Sequence, residues 1–389
     1  MIDFFNILFL VFLNLDYIGC FFLTDFFFGF FLFFFSMMIL YLLKMLSNDY
    51  ISILLTFFLV VISFNFFFCW NLFFFIIFFE LSSFMVIIMA LIFGVQVEKI
   101  NAFYYFFFYN LISFLPFLII MMFFLKYLII MNMIYMDFFV SFFMMFFSLL
   151  VFLVKFPLFF FHYWLPKIHV EASTFSSMLL ASLLLKFGVY GFYRFMMFLK
   201  IMNMMFFFYL FFFGIMVCLF LCLIQSDMKS QIAFSSITHM SIVFFNLIMF
   251  SLLSEKMAFF VIIGHAFSSS LSFWFVGEVF YSINSRLIME VNSFFLSNFI
   301  FFIFFLFMLM LMGSFPFSLN YFTEFYMFFL MNKSLYFMLG FCLFFFFDLF
   351  LVIFLFGLLF LGKFYKSSKN IFFPSLIMFF LWSYNFFFF

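Results

Sequence analysis

The sequence predicts an all-α polytopic membrane protein, and both its composition and the length of its apolar runs support this fold class. Hydrophobic residues make up 72% of the chain and charged residues only 7%, with a mean hydropathy of +1.45. A soluble domain carries roughly 25% charged residues, so a cytosolic fold could not hide this much apolar surface. Apolar runs of about 20 residues recur along the chain, which is the length that a helix needs to cross a bilayer.

The positions of these runs predict about thirteen transmembrane helices, separated by short polar connections. No connection is long or polar enough to form a soluble domain. The predicted spans lie near residues 4–23, 26–43, 51–68, 71–93, 102–127, 138–165, 173–199, 204–224, 231–252, 257–281, 294–331, 335–361 and 371–388.

Two of these spans, 138–165 and 294–331, are unusually long and contain proline. Pro157 and Pro166 interrupt the first, and Pro316 interrupts the second. Proline removes a helix hydrogen bond and kinks or breaks the helix. In a membrane such a break persists only where protein or a wet cavity satisfies the freed backbone groups. Paired broken helices in two halves of a chain indicate an ion site between the halves.

The spacing of the two breaks, about 160 residues, predicts an antiporter-like fold with two inverted five-helix repeats. We assign the first half to 71–199 and the second half to 204–331. Further helices are expected in 1–70 before the repeats and in 335–389 after them. Because all connections are short, the whole chain, 1–389, is predicted to form a single transmembrane domain.

Four ionisable residues lie where the sequence predicts the middle of the membrane. Glu80 and Lys186 lie near the centres of their spans, Lys155 directly precedes the first break, and Glu324 follows the second. Such residues are costly in a bilayer and mark ion pathways, proton relays or ion pairs. Each alone could form a structural ion pair, but four groups of alternating sign, two of them at breaks, favour transport. Burial disfavours the charged form of a lysine, and a nearby carboxylate favours it again. A lysine whose carboxylate moves away or returns can therefore release or take up a proton.

Histidines could supply intermediate stations of a proton relay, because imidazole titrates near physiological pH. His239 in SSITHM and His265 in GHAFSSS lie inside predicted spans among small hydroxyl residues, and His162 and His169 flank WLP. The alternative for each is a satisfied core histidine. Asp348 is also predicted to be buried, and the sequence assigns it no role.

Other functional classes find little support. A net charge of +1 offers no basic face for nucleic acid. No nucleotide-binding glycine motif and no metal-ligand spacing occurs, so we predict neither cofactor-binding nor metal-binding residues. The five cysteines are interpreted as inert core residues. They are Cys20, Cys69, Cys218, Cys222 and Cys342.

Several sequence blocks, taken together, resemble a known family. The blocks are FFELS around Glu80, HYWLPKIHVEAS followed by LLLKFGVYGFYR, QSDMKSQIAFSSITHMSIV, GHAFSSSLSFWFVGE and FPFSLNYFTEF. In this order they resemble the subunit 4 family of NADH dehydrogenase (ubiquinone), the antiporter-like membrane subunits of mitochondrial respiratory complex I. The resemblance covers roughly residues 70–340. Sibling antiporter-like subunits and multisubunit sodium/proton antiporters share a looser version of the pattern.

The resemblance implies a role for each matching residue. Glu80 would form an ion pair with Lys155 on the first broken helix. Lys186 would be the central lysine of a proton relay, and Glu324 its terminal carboxylate on the second broken helix. His239 and His265 match relay histidines.

The resemblance also implies the function and the partners. The chain would be a proton-translocating membrane-arm subunit of NADH:ubiquinone oxidoreductase, a translocase subunit with no redox chemistry of its own. NADH, FMN, iron–sulfur clusters and ubiquinone are expected on partner subunits. The expected partners are other membrane-arm subunits, including the sibling antiporter-like ones, and membrane lipids of the mitochondrial inner membrane. The excess of residues with A/T-rich codons, including 101 Phe, indicates an organelle-encoded gene.

The chain departs from the family pattern in a few places. About 70 residues precede the Glu80 helix, so the N-terminal region is expected to be shortened by one helix. Ser173 and Val189 stand where the family has proline and glycine, but neither change removes a charged group. Two alternatives remain open: a cation/proton antiporter subunit, and a structural membrane subunit that has lost pumping.

Overall fold

The computed structural model describes residues 50–69, 71–94, 96, 98–127, 142–199, 205–249, 252–283, 285–288, 299–315, 318–331 and 335–360. The regular structure in these ranges is helical, with one isolated β-bridge between Asp227 and Leu287. Six of the described helices are long and apolar enough to cross a membrane. The predicted class, a helical membrane protein, is therefore confirmed.

The first group of helices precedes and includes the first predicted break. They are α1 (Tyr50–Phe68), α2 (Leu72–Phe93), α3 (Lys99–Tyr127), α4 (Phe142–Lys155), α5 (Trp164–Glu171) and α6, which runs through Thr174–Leu179, a π-helical segment Leu180–Leu184, and Leu185–Leu199. The predicted spans 51–68, 71–93 and 102–127 agree with α1, α2 and α3 to within three residues.

The second group includes the second predicted break. Its helices are α7 (Met205–Ile224), α8 (Met228–Ile248), α9 (Leu252–Ile283), α10 (Phe299–Met312), α11 (Leu319–Met331) and α12 (Leu335–Phe360). The predicted spans 4–23, 26–43 and 371–388 lie outside the described residues. The count of thirteen helices and the inverted repeat therefore stay predictions.

The first break lies between the end of α4 and the start of α5, as proline chemistry predicts for Pro157. The Trp164 indole N–H donates to the Val154 carbonyl at 2.9 Å, so a side chain satisfies a backbone group near the break. The prediction that Pro166 also interrupts the helix is wrong. Pro166 lies in the first turn of α5, where a missing N–H removes no helix hydrogen bond.

The second break separates α10 from α11, and Pro316 itself lies outside the described residues. Ser314 in this turn has a φ of 47°, a left-handed conformation. The Gly313 N–H still bonds to the Leu309 carbonyl and closes the last turn of α10. This turn packs against α12, because a Cβ atom added to Gly313 would lie 2.6 Å from a methyl group of Val352.

The core of the molecule lies around α6, α8 and α9, which pack against one another. Nearly every residue in their membrane-length parts is buried. Close contact between α6 and the first break depends on Gly188. A Cβ atom there would lie 2.8 Å from the backbone nitrogen of Phe156, too close for any other residue without a shift. The break after Lys155 is thus held directly against the helix that carries Lys186.

Candidate functional site

The first element of the site is an ion pair between α2 and the end of α4. The Lys155 Nζ lies 3.0 Å from Oε1 of Glu80. It also donates to the Phe79 carbonyl at 3.0 Å and lies 3.7 Å from the centre of the Phe79 ring. Because Lys155 is the last residue of α4, its charge also lies at the negative end of a helix dipole.

The two partners of this pair differ in their surroundings. Lys155 is 1% exposed, whereas Glu80 is 27% exposed. Glu80 opens into a groove of about 480 Å³ between α2 and α3 whose other walls are mostly aromatic and aliphatic. The lysine is therefore enclosed by protein, while the carboxylate can respond to whatever fills the groove.

The second element is Lys186, which is completely buried in α6. Its Nζ donates to the Ala181 carbonyl at 2.6 Å and lies 2.8 Å from Nδ1 of His265 on α9. Ala181 belongs to the π-helical segment, which ends two residues before Lys186. Single π turns inside α-helices are frequent at functional sites, and here the wide turn presents a carbonyl to the ammonium group. A proton can be shared between Lys186 and His265.

The third element joins His265 to the second break. The rings of His265 and His239 have centroids 6.0 Å apart, and Nδ1 of His239 lies 3.5 Å from Oε1 of Glu324. The Ser314 hydroxyl donates to the same carboxylate oxygen at 2.6 Å. Direct transfer between the two rings requires ring motion or a bridging water, because 6.0 Å between centroids leaves no direct hydrogen bond.

We call Lys186, His265, His239 and Glu324 the central line. Small hydroxyl residues accompany it on α8 and α9, the helices that carry His239 and His265. They donate to carbonyls three or four residues earlier in their own helices, as seen for Ser235, Ser236, Thr238, Ser241, Ser269, Ser270 and Ser272. Their donors are thus satisfied, while their oxygen lone pairs remain able to accept from water.

The other two histidines of the sequence motif are buried but lie outside the central line. His162 lies in the first break and stacks on Tyr163 with 4.5 Å between ring centroids. His169 on α5 stacks in parallel on Phe273 at 4.3 Å. Both rings are packed in the core, but among the described residues none of their four nitrogen atoms has a hydrogen-bond partner, so neither is the satisfied core histidine of the alternative.

Sequence reasoning missed a buried cation near the start of α8. Lys229 is 4% exposed and donates to the Ala172 carbonyl at 2.8 Å. The polar stretch QSDMK reads as a loop, yet α8 begins at Met228 and includes Lys229. At the end of α5 nearby, burial raises the pKa of Glu171, and Glu98 raises it further, against the opposing effect of Arg286.

The fold and the site define a class: a polytopic helical membrane protein with titratable side chains buried along its interior. The family model described as "NADH:quinone oxidoreductase/Mrp antiporter, TM" matches residues 69–351. The chain belongs to this family.

Curated relatives agree with this assignment. The chain is 36% identical over 246 residues to NADH-ubiquinone oxidoreductase chain 4 of Ascaris suum, and 35% identical over 246 residues to that of Caenorhabditis elegans. Each alignment covers 63% of this chain and 59% of the relative. The chain thus spans about three fifths of the length of these relatives. The resemblance predicted from the sequence blocks is confirmed.

Solved structures show the same fold at low identity. A chain of respiratory complex I from Thermus thermophilus with bound NADH matches with a TM-score of 0.80 and 18% identity, over 91% of this chain and 78% of that one. A chain of the Mrp complex from Dietzia matches with a TM-score of 0.75 and 13% identity, over 82% and 62%. The fold of this chain is therefore shared with one chain of each assembly.

Proposed function

We propose that this chain is a proton-translocating membrane-arm subunit of NADH:ubiquinone oxidoreductase in the mitochondrial inner membrane. The observation that carries this proposal is the central line, in which neighbouring titratable groups cross the buried core from α6 to α11. Family membership and the relatives named chain 4 support it. Organelle encoding, inferred from composition, is part of the same proposal.

The ion pair would control the central line through its charge. While Glu80 holds Lys155, the ammonium charge of Lys155 is compensated. When the pair opens, the positive charge of Lys155 is no longer compensated. Because the backbone of Lys155 lies against Gly188 of α6, this charge disfavours a second positive charge on Lys186. Lys186 then gives up a proton: an N–H bond breaks at Nζ and one forms at Nδ1 of His265, which lies 2.8 Å away.

The second half of the path would end at the second break. The proton passes from His265 to His239 and then to Oε1 of Glu324. The Ser314 hydroxyl stabilises the ionised form of Glu324 before the proton arrives. Helix breaks at both ends let short segments shift without unfolding a whole span.

Protons suit this line better than sodium ions. Ammonium and imidazole nitrogens bind and release protons, whereas sodium prefers oxygen ligands and is repelled by a charged lysine. The likeness to the Mrp complex nevertheless favours a cation/proton antiporter subunit as the second candidate. In the proposed complex, NADH, FMN, iron–sulfur clusters and ubiquinone act on partner subunits, and this chain contributes translocation alone.

The test is a Lys186→Met variant of the assembled complex in sealed vesicles. We expect protons moved per NADH oxidised to fall sharply, because the central line has lost its first proton carrier. Lys167→Met is the matched control, since Lys167 is exposed and lies over the Tyr105 ring. A wild-type ratio in Lys186→Met would contradict the proposal.

A native gel of the solubilised membrane tests the partners. We expect mass spectrometry to find this chain in a very large assembly that oxidises NADH. Migration alone or with small membrane partners would instead support the antiporter alternative, and ion-flux assays would then identify the ion.

A further inference from the structure

Asp348 is a buried carboxylate that the central line leaves unused. It lies at the centre of α12, where it is 5% exposed. Within 341–355, the part of α12 whose side chains are described, the buried face is otherwise apolar and consists of Phe341, Phe344, Leu351 and Leu355. The opposite face, with Phe346, Leu349 and Ile353, is exposed. An acidic residue therefore interrupts the apolar stripe that packs on the protein, and it does not face lipid.

The packing of α12 places Asp348 beside the second break. α12 packs against α7, α10 and α11. Val352 lies one turn after Asp348 on the same face and packs against Gly313. The next residue, Ser314, donates a hydrogen bond to Glu324. Asp348 also interacts electrostatically with both His239 and Glu324.

Asp348, Glu324 and His239 are all buried and interact electrostatically, and we call these two carboxylates and one imidazole the terminal cluster. Neighbouring carboxylates at low dielectric disfavour being ionised together, and an imidazolium between them favours ionisation. The cluster can therefore hold a proton on any of three groups, and it can accept one before releasing another.

We propose that Asp348 is a proton-carrying residue of this terminal cluster, where it exchanges protons with Glu324 and His239. The inference rests on the proposed function and extends it by one station. The N–H bond of the His239 imidazolium breaks as an O–H bond forms on Glu324. The carboxyl O–H of Glu324 then breaks as one forms on the Asp348 carboxylate, through a bridging water or a side-chain rotation that brings the two groups together. Neither transfer changes the net charge of the cluster.

The test compares Asp348→Asn and Asp348→Leu in the assembled complex, reconstituted into sealed vesicles. Asn keeps the shape without titrating. Leu also removes the charge, and it matches the polarity of the surrounding apolar stripe. The control is Cys342→Ser, because Cys342 is exposed on the same helix. The readouts are protons moved per NADH oxidised and their dependence on pH.

We expect both variants to slow coupled proton transfer about a hundredfold, the low end of what a positioned acid–base group contributes. As the pH is raised, the residual pumping of Asp348→Asn should be lost at a lower pH than the pumping of the wild type. The reason is that His239 loses a negative neighbour that favours its protonated form. The titratable groups that interact electrostatically with Asp348 are Cys222 of α7, His239 of α8 and Glu324 of α11. The described part of α10 contains no titratable residue.

The outcomes separate this inference from the proposed function. A wild-type ratio and pH dependence in either Asp348 variant, beside a loss in Lys186→Met, would overturn the role of Asp348 alone. Normal pumping by Lys186→Met would overturn the proposed function. Failure of both Asp348 variants to assemble, with Cys342→Ser assembling, would make Asp348 a structural residue and would also overturn the inference.

Discussion

The outer helices α1–α3 and the central helices α6, α8 and α9 differ in what surrounds them. In their membrane-length parts, 33–44% of residues are buried in α1–α3, against 94–100% in the central three. The outer helices thus present most of their surface to lipid or partner subunits, while the central helices are enclosed by this chain itself. The difference decides how each region can stabilise a charge.

In the outer region, Glu80 pairs with Lys155 and has an open groove beside it. In the central region, each ionisable residue has another as its neighbour, as with Lys186 and His265. The outer pair can therefore respond to a partner subunit, whereas the central line responds mainly to its own members. This contrast agrees with the proposal that the Glu80–Lys155 pair controls proton transfer and that the central line carries it out.

The largest effect on stability is expected from Glu80→Gln. It leaves the enclosed Lys155 without its carboxylate, and breaking a buried ion pair from one side costs about 3–5 kcal/mol. Lys155→Met should cost less, because Glu80 is 27% exposed and can be solvated or protonated. Thermal inactivation of the purified complex measures both. Equal losses of stability in the two variants would contradict the expected difference between Glu80 and Lys155.

A smaller effect is expected from Ser314→Ala in the central region. It deletes the hydrogen bond to Glu324, and hydrogen bonds to charged groups contribute about 1.5–3 kcal/mol. The matched control is Ser236→Ala, whose hydroxyl donates only to its own helix, at the Ala233 carbonyl. The temperature of thermal inactivation and the number of protons moved per NADH oxidised should both fall further for Ser314→Ala than for Ser236→Ala. The same loss in both variants would argue against a specific role for the Ser314 contact.

The smallest effect is expected from Lys167→Met at the exposed edge. Its Nζ lies 3.3 Å from the centre of the Tyr105 ring, and exposed cation–π contacts contribute about 0.5–1 kcal/mol. Pumping should stay at the wild-type ratio. A loss as large as that of Lys186→Met would mean that the edge takes part in the relay and that the contrast between the regions is wrong.

Local chemistry made much of the fold predictable. Apolar length located α1, α2 and α3 to within three residues, and the missing N–H of Pro157 located the first break. The same reasoning failed for Pro166, because proline in the first turn of a helix removes no hydrogen bond, and only the start of α5 reveals that position. The π turn before Lys186 has no local signature of its own.

The contacts of the site were less predictable. That Lys155, Lys186 and Glu324 are buried follows from their apolar surroundings in the sequence, whereas the same surroundings do not show that Glu80 is 27% exposed. The pairing of Glu80 with Lys155 was implied by family resemblance and not by spacing. The contact of Lys186 with His265 joins residues 79 positions apart. Asp348 was predicted to be buried, but nothing in the sequence placed it beside the second break.

The sequence by itself determined that this chain is a helical membrane protein with a few costly charges inside it, because apolar length and composition act locally. The tertiary structure decided which charges meet. Several spans, such as α2 and α10, are apolar around nearly their whole circumference, so the sequence does not show which of their faces is turned inward. Only close packing, as at Gly188 against Phe156 and Gly313 against Val352, sets the rotation of each helix and with it the neighbours of each charge.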